Sequence, residues 1–295
     1  MMSVLGQCYY LSCRTWIGRV TARAMLGALR RIGACRSFKL PLDALFLPGP
    51  ATSGLMKLWS RLHWMGEDGM MPPDQLLAIY RLTYTWPGDG DVVELGSWTG
   101  LTTCYLATAC ASRGRGHVYA VDTFAGTKEG GTSYDAVARH GGTTWPVFRR
   151  RVREADLEGR VTALVGDTVE QAKAYPGNPI RVLLIDADHS FEGVRRDFEA
   201  WQPHVAPGGL IVFHDYAMPE AGVRRYVDEV VTHRDDVESS PGNVHPNVFA
   251  VAKELGVRGE ARVVREAVAE ASALCAATMS GAVRVGEGLA PVAGA

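Results

Sequence analysis

The sequence predicts an α/β protein with a doubly wound, mostly parallel sheet covered by helices on both faces. Two observations carry this. Between about residues 70 and 253, five short apolar runs alternate with longer amphipathic stretches, the habit of parallel strands linked by crossover helices. Each run also stops next to a polar residue or a glycine, and in open parallel sheets ligands bind beyond the carboxyl ends of the strands.

The elements follow in order. Pro72 and Pro73 stand where a helix can start, Leu76, Leu77, Tyr80 and Leu82 supply its apolar face, and Pro87-Gly88 ends it. The five runs are Val92 to Leu95, Val118 to Val121, Val161 to Val165, Val182 to Ile185 and Leu210 to Phe213. After the fourth, Phe191, Val194, Phe198 and Trp201 recur at spacings of three and four before Pro203, which predicts a helix packed on the sheet. A further helix is expected over Gly222 to Thr232. Asn247 to Lys253 reads as a last strand, paired with a short one near Val237. Upstream, Pro41, Pro48 and Pro50 and the aromatic patch of Trp59, His63 and Trp64 suggest an irregular linker passing into a short helix. Three units result: a basic N-terminal extension with a candidate lid over 1–69, the α/β domain over 70–253, and an alanine-rich helix with a flexible tail over 254–295.

With 295 residues the chain suits one core plus extensions. A net charge of -1 and 21% charged residues lack the basic excess that phosphate backbones attract, so nucleic acid is not an expected partner. Six cysteines without close pairs read as reduced thiols in a cytoplasmic protein. No apolar stretch approaches the roughly 18 residues of a membrane-spanning helix. The first 42 residues hold Arg14, Arg19, Arg23, Arg30, Arg31, Arg36 and Lys39 and no acid. Such a leader suits a transit peptide, a segment on anionic lipid or a poorly ordered extension, and the last is favoured.

The first run ends in VVELGSWTG, which puts Glu94, Gly96 and Gly100 in an acid-x-Gly-x-x-x-Gly arrangement ahead of a helix. Glycine lets backbone approach a ligand closely, so a bulky residue at Gly96 is expected to fill the ligand's place. A dinucleotide fingerprint needs Gly-x-Gly-x-x-Gly; Ser97 and Trp98 occupy that interval, and the expected ligand therefore lacks a diphosphate. The second run closes on Asp122 in VYAVDTFAG, where a carboxylate can accept both hydroxyl hydrogens of a ribose. Gly166-Asp167 closes the third. Asp167 either reaches an adenine amino group or caps the helix that Thr168-Val169-Glu170 begins, and for this residue alone the cap is the better reading.

Together these residues resemble the class I S-adenosylmethionine-dependent methyltransferases. VELGSWTG is similar to the first motif of the cation-dependent catechol and caffeoyl-CoA type O-methyltransferases. LLIDADHSFEGVRRDFEAWQPHVAPGGLIVFHDY resembles a bacterial branch that includes enzymes methylating macrolide sugars and other secondary metabolites. The resemblance covers residues 71 to 253. It implies a Rossmann-like seven-stranded sheet of order 3-2-1-4-5-7-6, with the cofactor lying across Glu94, Gly96, Ser97, Trp98, Gly100, Asp122, Thr123, Phe124, Gly166, Asp167 and Asp186. The implied activity is methyl transfer to a small-molecule acceptor, with a hydroxyl oxygen favoured.

The fourth run ends in Asp186-Ala187-Asp188-His189 and the fifth in His214-Asp215. In the cation-dependent relatives the corresponding positions read Asp, then Asp-Asn, so the resemblance implies a divalent cation, Mg2+ or Mn2+, on Asp186, His214 and Asp215. His214 departs from that pattern, and an imidazole there either tilts the site toward manganese, iron or zinc or marks loss of the metal. Capping of helices and loop ends is the plain alternative for these acids. His189 stands where the catechol-type relatives keep a lysine thought to deprotonate the acceptor, and imidazole titrates nearer neutrality; a solvent-exposed neighbour of the helix cap is its other reading. His214 is the second candidate base, and His140, in the glycine-rich insertion GTKEGGTSYDAVARHGG, a weaker one. Residues 43 to 69, 124 to 145 and 216 to 247 are candidate lids. Two rivals stand beside this reading: a nicotinamide-dependent oxidoreductase, disfavoured by the missing glycine, and a non-catalytic member of the fold, disfavoured by the retained acidic strand ends. A homodimer through the N-terminal segment is a candidate assembly.

Overall fold

The computed structural model describes residue 47 and residues 49–62, 69–126, 137–218 and 222–254. The expectations for the basic leader, for His63 and Trp64, for the insertion over 127–136 and for the C-terminal helix and tail lie outside these residues.

Seven strands form one sheet in the order β3-β2-β1-β4-β5-β7-β6. They are β1 Asp91–Leu95, β2 Val118–Asp122, β3 Val161–Val165, β4 Ile180–Ile185, β5 Val205–His214, β6 Val237–His245 and β7 Val248–Lys253. The first five pair in parallel, while β7 runs antiparallel to both β5 and β6. The order expected from the resemblance is thus the one found. The described helices are α1 Gly49–Leu62, α2 Pro73–Thr85, α3 Leu101–Arg113, α4 Trp145–Glu154, α5 Thr168–Lys173, α6 Phe191–Trp201 and α7 Gly222–Glu229. None among the described residues is long and apolar enough to cross a membrane.

Alternation along each strand divides the core between two faces, because successive side chains point to opposite sides. Val92, Val182, Leu184, Val212 and Ala250 pack with α1 to α4 on one side. Val93, Leu95, Leu183, Ile185, Ile211, Phe213 and Val251 pack with Val194, Phe198 and Trp201 of α6 and with Tyr226 of α7 on the other. Both faces are covered, which is why these strands read as continuous apolar runs.

Of the linker and short helix expected upstream, α1 is the helix, and at 14 residues it is a full one. Ala51, Leu55, Leu58 and Leu62 are buried at spacings of four, three and four, and Pro50 falls in the first turn, where its missing N–H costs nothing. That pattern was present in the sequence. The Tyr80 hydroxyl donates to the Ala51 carbonyl at 2.8 Å and ties α2 to α1. β6, expected as a short strand near Val237, spans nine residues with register shifts around Ser239, Ser240 and Val244. Its partner β7 begins at Val248, close to the expected start.

Strand order reverses between β1 and β4, and at such a switch point the connections leave on opposite sides and open a crevice at the carboxyl ends. Gly96 N donates to Val121 O at 2.9 Å and Asp186 N donates to Leu95 O at 3.0 Å, so the loops after β1 and β4 leave the sheet side by side.

Candidate active site at the switch point

Glu94 is fully buried on β1. Thr103 of α3 donates its hydroxyl to Oε2, while Oε1 is buried with no hydrogen-bond partner. Burial pushes this carboxyl up to about 8, opposed by the Thr103 and Ser97 hydroxyls and helped by Asp186 and Asp122. Ser97 Oγ is likewise buried and unpartnered. Both atoms lie beside the switch point, where the Ser97 side chain also lowers the Glu94 carboxyl.

Asp122 ends β2 and accepts from Trp98 N and from Phe124 N, each at 2.6 Å. Those two backbone donors hold the loops after β1 and β2 together. Trp98 and Phe124 sit at φ 49° and 55°, a region that non-glycine residues seldom adopt without support from their surroundings. Burial raises the Asp122 carboxyl against the pull of these backbone hydrogen bonds. The Phe124 ring is buried between Trp145 and Phe148, with ring centroids 4.9 Å from each, so only the backbone of this expected cofactor residue is free of the core. Thr123 Oγ1 accepts from Ala125 N at 3.2 Å. The Trp98 ring meets His140 edge-on at 6.2 Å, which brings the weaker candidate base to the rim of the first loop.

The glycines have reasons inside the protein. A Cβ on Gly96, at φ +84°, would lie 2.1 Å from the Asp186 carbonyl oxygen. This corrects the expectation that a side chain there fills the ligand's space: it would strike the backbone after β4. Gly96→Ala is expected to destabilise the fold by about 3 kcal/mol, the upper range for overpacking, because neither backbone can yield. Urea unfolding measures it, and a variant as stable as the parent would overturn the assignment. At Gly100, φ +80°, a Cβ would meet the Phe148 ring at 2.7 Å, so this residue seats α3 against α4. Gly166 at φ +150° faces the Gln171 amide.

Asp167 is the N-cap of α5, its Oδ1 accepting from Val169 N at 3.0 Å and Glu170 N at 3.2 Å. The cap reading therefore describes the observed contacts. Arg196 lies 4.0 Å from its other oxygen.

Four side chains meet above β4 and β5. His214 Nδ1 is 2.8 Å from Asp186 Oδ1 and 3.3 Å from Asp215 Oδ1. His189 Nε2 is 3.4 Å from Asp186 Oδ1 and 3.3 Å from Asp215 Oδ2. The His189 side chain is 40% exposed and that of His214 only 8%, so one imidazole faces the crevice and the other the core. Burial opposes a charge on His214, but the two carboxylates overcome it and hold the ring up to about 10. Burial likewise opposes charge on His189, and Asp186 outweighs it. Burial alone would raise both acids, yet the histidines lower Asp186 and take Asp215 to about 2. Asn247 Nδ2 donates to Asp215 Oδ1 at 2.8 Å. Ser190, not His189, caps α6, accepting from Gly193 N at 2.9 Å. Asp186 and Asp215 meet imidazoles and cap no helix, while Asp215 also accepts from Asn247 at a loop end and Asp188 from Ser190 N at 2.9 Å.

Asp186, His189 and Asp215 each offer a ligand atom within 4.8 Å of the others. His189 thus stands in that set where His214 was expected: the Nδ1 of His214 is paired with Asp186 at 2.8 Å, and its Nε2 meets Gln75 Oε1 at 2.6 Å. Gln75 had no signal in the sequence beyond a polar residue on the buried side of α2, between Asp74 and Leu76.

The parallel sheet with its antiparallel β7, the switch-point crevice and the acidic strand ends define the class I adenosylmethionine-dependent methyltransferases. Residues 93–216 match the family model described as a methyltransferase domain. Among curated proteins, the chain is 28% identical over 141 residues to an 8-demethyl-8-(2,3-dimethoxy-alpha-L-rhamnosyl)-tetracenomycin-C 4'-O-methyltransferase of Streptomyces olivaceus, covering 44% of this chain and 54% of that protein. It is 27% identical over 136 residues to the y4gI protein of Sinorhizobium fredii, covering 44% of this chain and 14% of that protein. The chain thus spans about half or less of the curated relatives' lengths. Among solved structures, the O-methyltransferase NovP is similar at 20% identity, with a TM-score of 0.51, covering 64% of this chain and 83% of NovP; this likeness speaks to the fold.

Proposed function

We propose that this protein transfers a methyl group from adenosylmethionine to a hydroxyl oxygen of a small molecule, a sugar hydroxyl of a glycosylated secondary metabolite being the acceptor class, with assistance from a divalent cation. The carrying observation is the meeting of Asp186, His189, His214 and Asp215 at the carboxyl ends of β4 and β5. The name of the Streptomyces olivaceus relative supports the sugar acceptor. The near-neutral chain supports a small molecule over nucleic acid.

The cofactor fits the residues present. Asp122 keeps acceptor capacity for a ribose beyond its two backbone donors, and the orphaned Glu94 oxygen and Ser97 hydroxyl suit the polar groups of the methionine portion. A cation suits the acids as well: Asp186, His189 and Asp215 each offer a ligand atom within 4.8 Å of the others, and His214 Nδ1 lies 2.8 Å from Asp186 Oδ1. Asp186 and Asp215 would hold the ion, with His214 as third ligand or support behind them, and it would supply polarisation of the acceptor hydroxyl and a lower pKa for it.

Transfer is an in-line displacement. The acceptor oxygen forms a bond to the methyl carbon, the carbon–sulfur bond breaks, and its electron pair stays on sulfur as the neutral thioether. The hydroxyl proton passes to Nε2 of His189, where Asp186 and Asp215 stabilise the imidazolium. The loops after β1 and β2, pinned by Asp122, fix the cofactor's place and set the distance of approach.

Calorimetry tests the reading. Adenosylmethionine and its demethylated product should bind and NAD should not; binding of NAD alone would restore the oxidoreductase, and binding of none would restore the non-catalytic fold member. The same titration reads Glu94. A carboxyl raised to about 8 is mostly protonated at pH 7. Its folded pKa lies above its unfolded one, so the cofactor-free protein loses stability as pH rises from about 4.5 toward 8. A cationic ligand beside it favours the ionised form. Binding at pH 7 should therefore release a proton, seen as an enthalpy that changes with the buffer's ionisation heat, and Glu94→Gln should abolish that dependence. Identical dependence in the variant would remove Glu94 from the cofactor site. Assay of glycosides against their aglycones tests the acceptor, with methylation of nitrogen or of the aglycone alone as the overturning result.

A further inference from the structure

Arg151 is a buried cation that the methyl-transfer reading does not use. It stands on α4 and is 2% exposed. Its Nη1 donates to the Thr99 carbonyl oxygen at 2.8 Å and to the Thr99 hydroxyl oxygen at 2.5 Å. Thr99 lies 52 positions earlier, fully buried in the loop after β1. A guanidinium taken out of water must replace its lost hydration with hydrogen bonds, and here a loop carbonyl supplies one of them. That carbonyl, and the peptide plane it belongs to, are fixed by the same contact.

The segment so held is short and left-handed. Trp98 sits at φ 49° and Gly100 at φ 80°, and Gly100 N donates back to Ser97 O at 2.7 Å. Asp122 at the end of β2 accepts from Trp98 N at 2.6 Å. Residues 98 to 100 are therefore anchored at a donor by a carboxylate from β2 and at an acceptor by a guanidinium from α4. Phe148, also on α4, leaves no room for a Cβ on Gly100, which would meet its ring at 2.7 Å. Gly100 is the N-cap residue of α3 and no side chain caps that helix. The direction of the first amides of α3 thus follows from residues 98 to 100, and α4 decides how those residues lie.

We propose that Arg151 is a positioning residue for the cofactor: through Thr99 it holds the loop after β1 in the conformation that receives adenosylmethionine, without touching the cofactor itself. The inference rests on the adenosylmethionine reading above. A left-handed non-glycine residue such as Trp98 persists only where its surroundings hold it. Released from Arg151, the loop relaxes, and apparent affinity falls with the fraction of molecules still in the receiving conformation.

The test titrates the full-length protein and its variants calorimetrically with adenosylmethionine and with its demethylated product. Hydrogen exchange of the ligand-free proteins is followed by mass spectrometry in the peptide over 96–104. Arg151→Met, which fills similar space but cannot donate, should weaken both ligands by about 10-fold to 100-fold. It should also speed exchange in that peptide while β4 and α6 exchange as in the parent. Arg151→Lys, which keeps a charged donor, should recover most of the affinity. Thr99→Val, which loses only the hydroxyl acceptor, should weaken binding by about 3-fold to 10-fold. Parental affinity in a folded Arg151→Met overturns the inference, as does faster exchange throughout the sheet, which would make Arg151 a residue of the fold alone. If Arg151→Met does not fold, Thr99→Val carries the test, and parental affinity with unchanged exchange there overturns the inference. Binding by the parent with unmoved variants sinks this inference alone; no binding of either ligand by the parent sinks the cofactor reading and this inference with it.

Discussion

His189→Ala is expected to lower the maximal rate of methyl transfer by about 100-fold to 10,000-fold, the usual contribution of a general base, and to leave the affinity for adenosylmethionine unchanged. The effect should fall on turnover because His189 is the more exposed imidazole of the cluster, 40% accessible, and Ser190 rather than His189 caps α6. An acceptor hydroxyl is almost wholly protonated near neutrality, so the proton needs somewhere to go as the oxygen–carbon bond forms. Nε2 offers that place, 3.4 Å and 3.3 Å from two carboxylates that offset the charge it acquires. Single-turnover kinetics with saturating cofactor, together with calorimetric affinity, makes the measurement. A variant with the parent's rate would transfer the base role to His214 or His140 or remove it altogether.

Asp122→Ala should cost both cofactor affinity and stability. Hydrogen bonds to a charged group contribute about 1.5 to 3 kcal/mol each. Losing two to the ribose therefore raises the dissociation constant by about 100-fold or more, at about 1.4 kcal/mol per tenfold. From the sequence, the loss is expected to fall far more on cofactor binding than on the fold. In the structure, the same carboxylate accepts from Trp98 N and Phe124 N, and leaving a buried donor unpaired costs about 1 to 3 kcal/mol. Both residues also sit at positive φ, which the Asp122 contacts hold in place. Chemical denaturation and calorimetry on the same preparation should show the two losses together. Full affinity in a destabilised variant would leave Asp122 a loop pin and move the ribose elsewhere.

The two variants separate the machinery. One should bind cofactor and fail to transfer; the other should fail at binding. A protein in which both behaved alike would have a different division of labour between β2 and β4.

How much of this was legible in the chain follows from the range of the forces involved. The five parallel strands were readable because strands covered on both faces need apolar residues at every position, and Val92, Val93, Leu183, Leu184, Ile211 and Val212 supply them. The acidic strand ends were readable because polarity resumes abruptly where burial stops. α6 was readable from the three-four spacing of Phe191, Val194, Phe198 and Trp201. α1 carried the same spacing and a proline in its first turn, but three prolines and an aromatic patch shortened the helix expected there; its full length is set by packing under Tyr80.

Contacts between residues distant in sequence were beyond that reading. Nothing in the spacing of Gly96 tells that its Cα lies against the Asp186 carbonyl, 90 positions on, and the sheet crossover that brings them together also decides that its substitution breaks the fold before it touches a ligand. Gln75 lies 139 positions from His214, and local pattern made it an ordinary helix residue. Local periodicity and the chemistry of strand ends were enough to set the architecture and the positions from which chemistry comes, because burial and hydrogen bonding act on the residue and its near neighbours. Which nitrogen of His214 faces the acids, which imidazole faces the crevice, and which glycines serve packing depended on three-dimensional neighbours, since a tautomer, an exposure or a steric limit belongs to a pair of groups and not to either one.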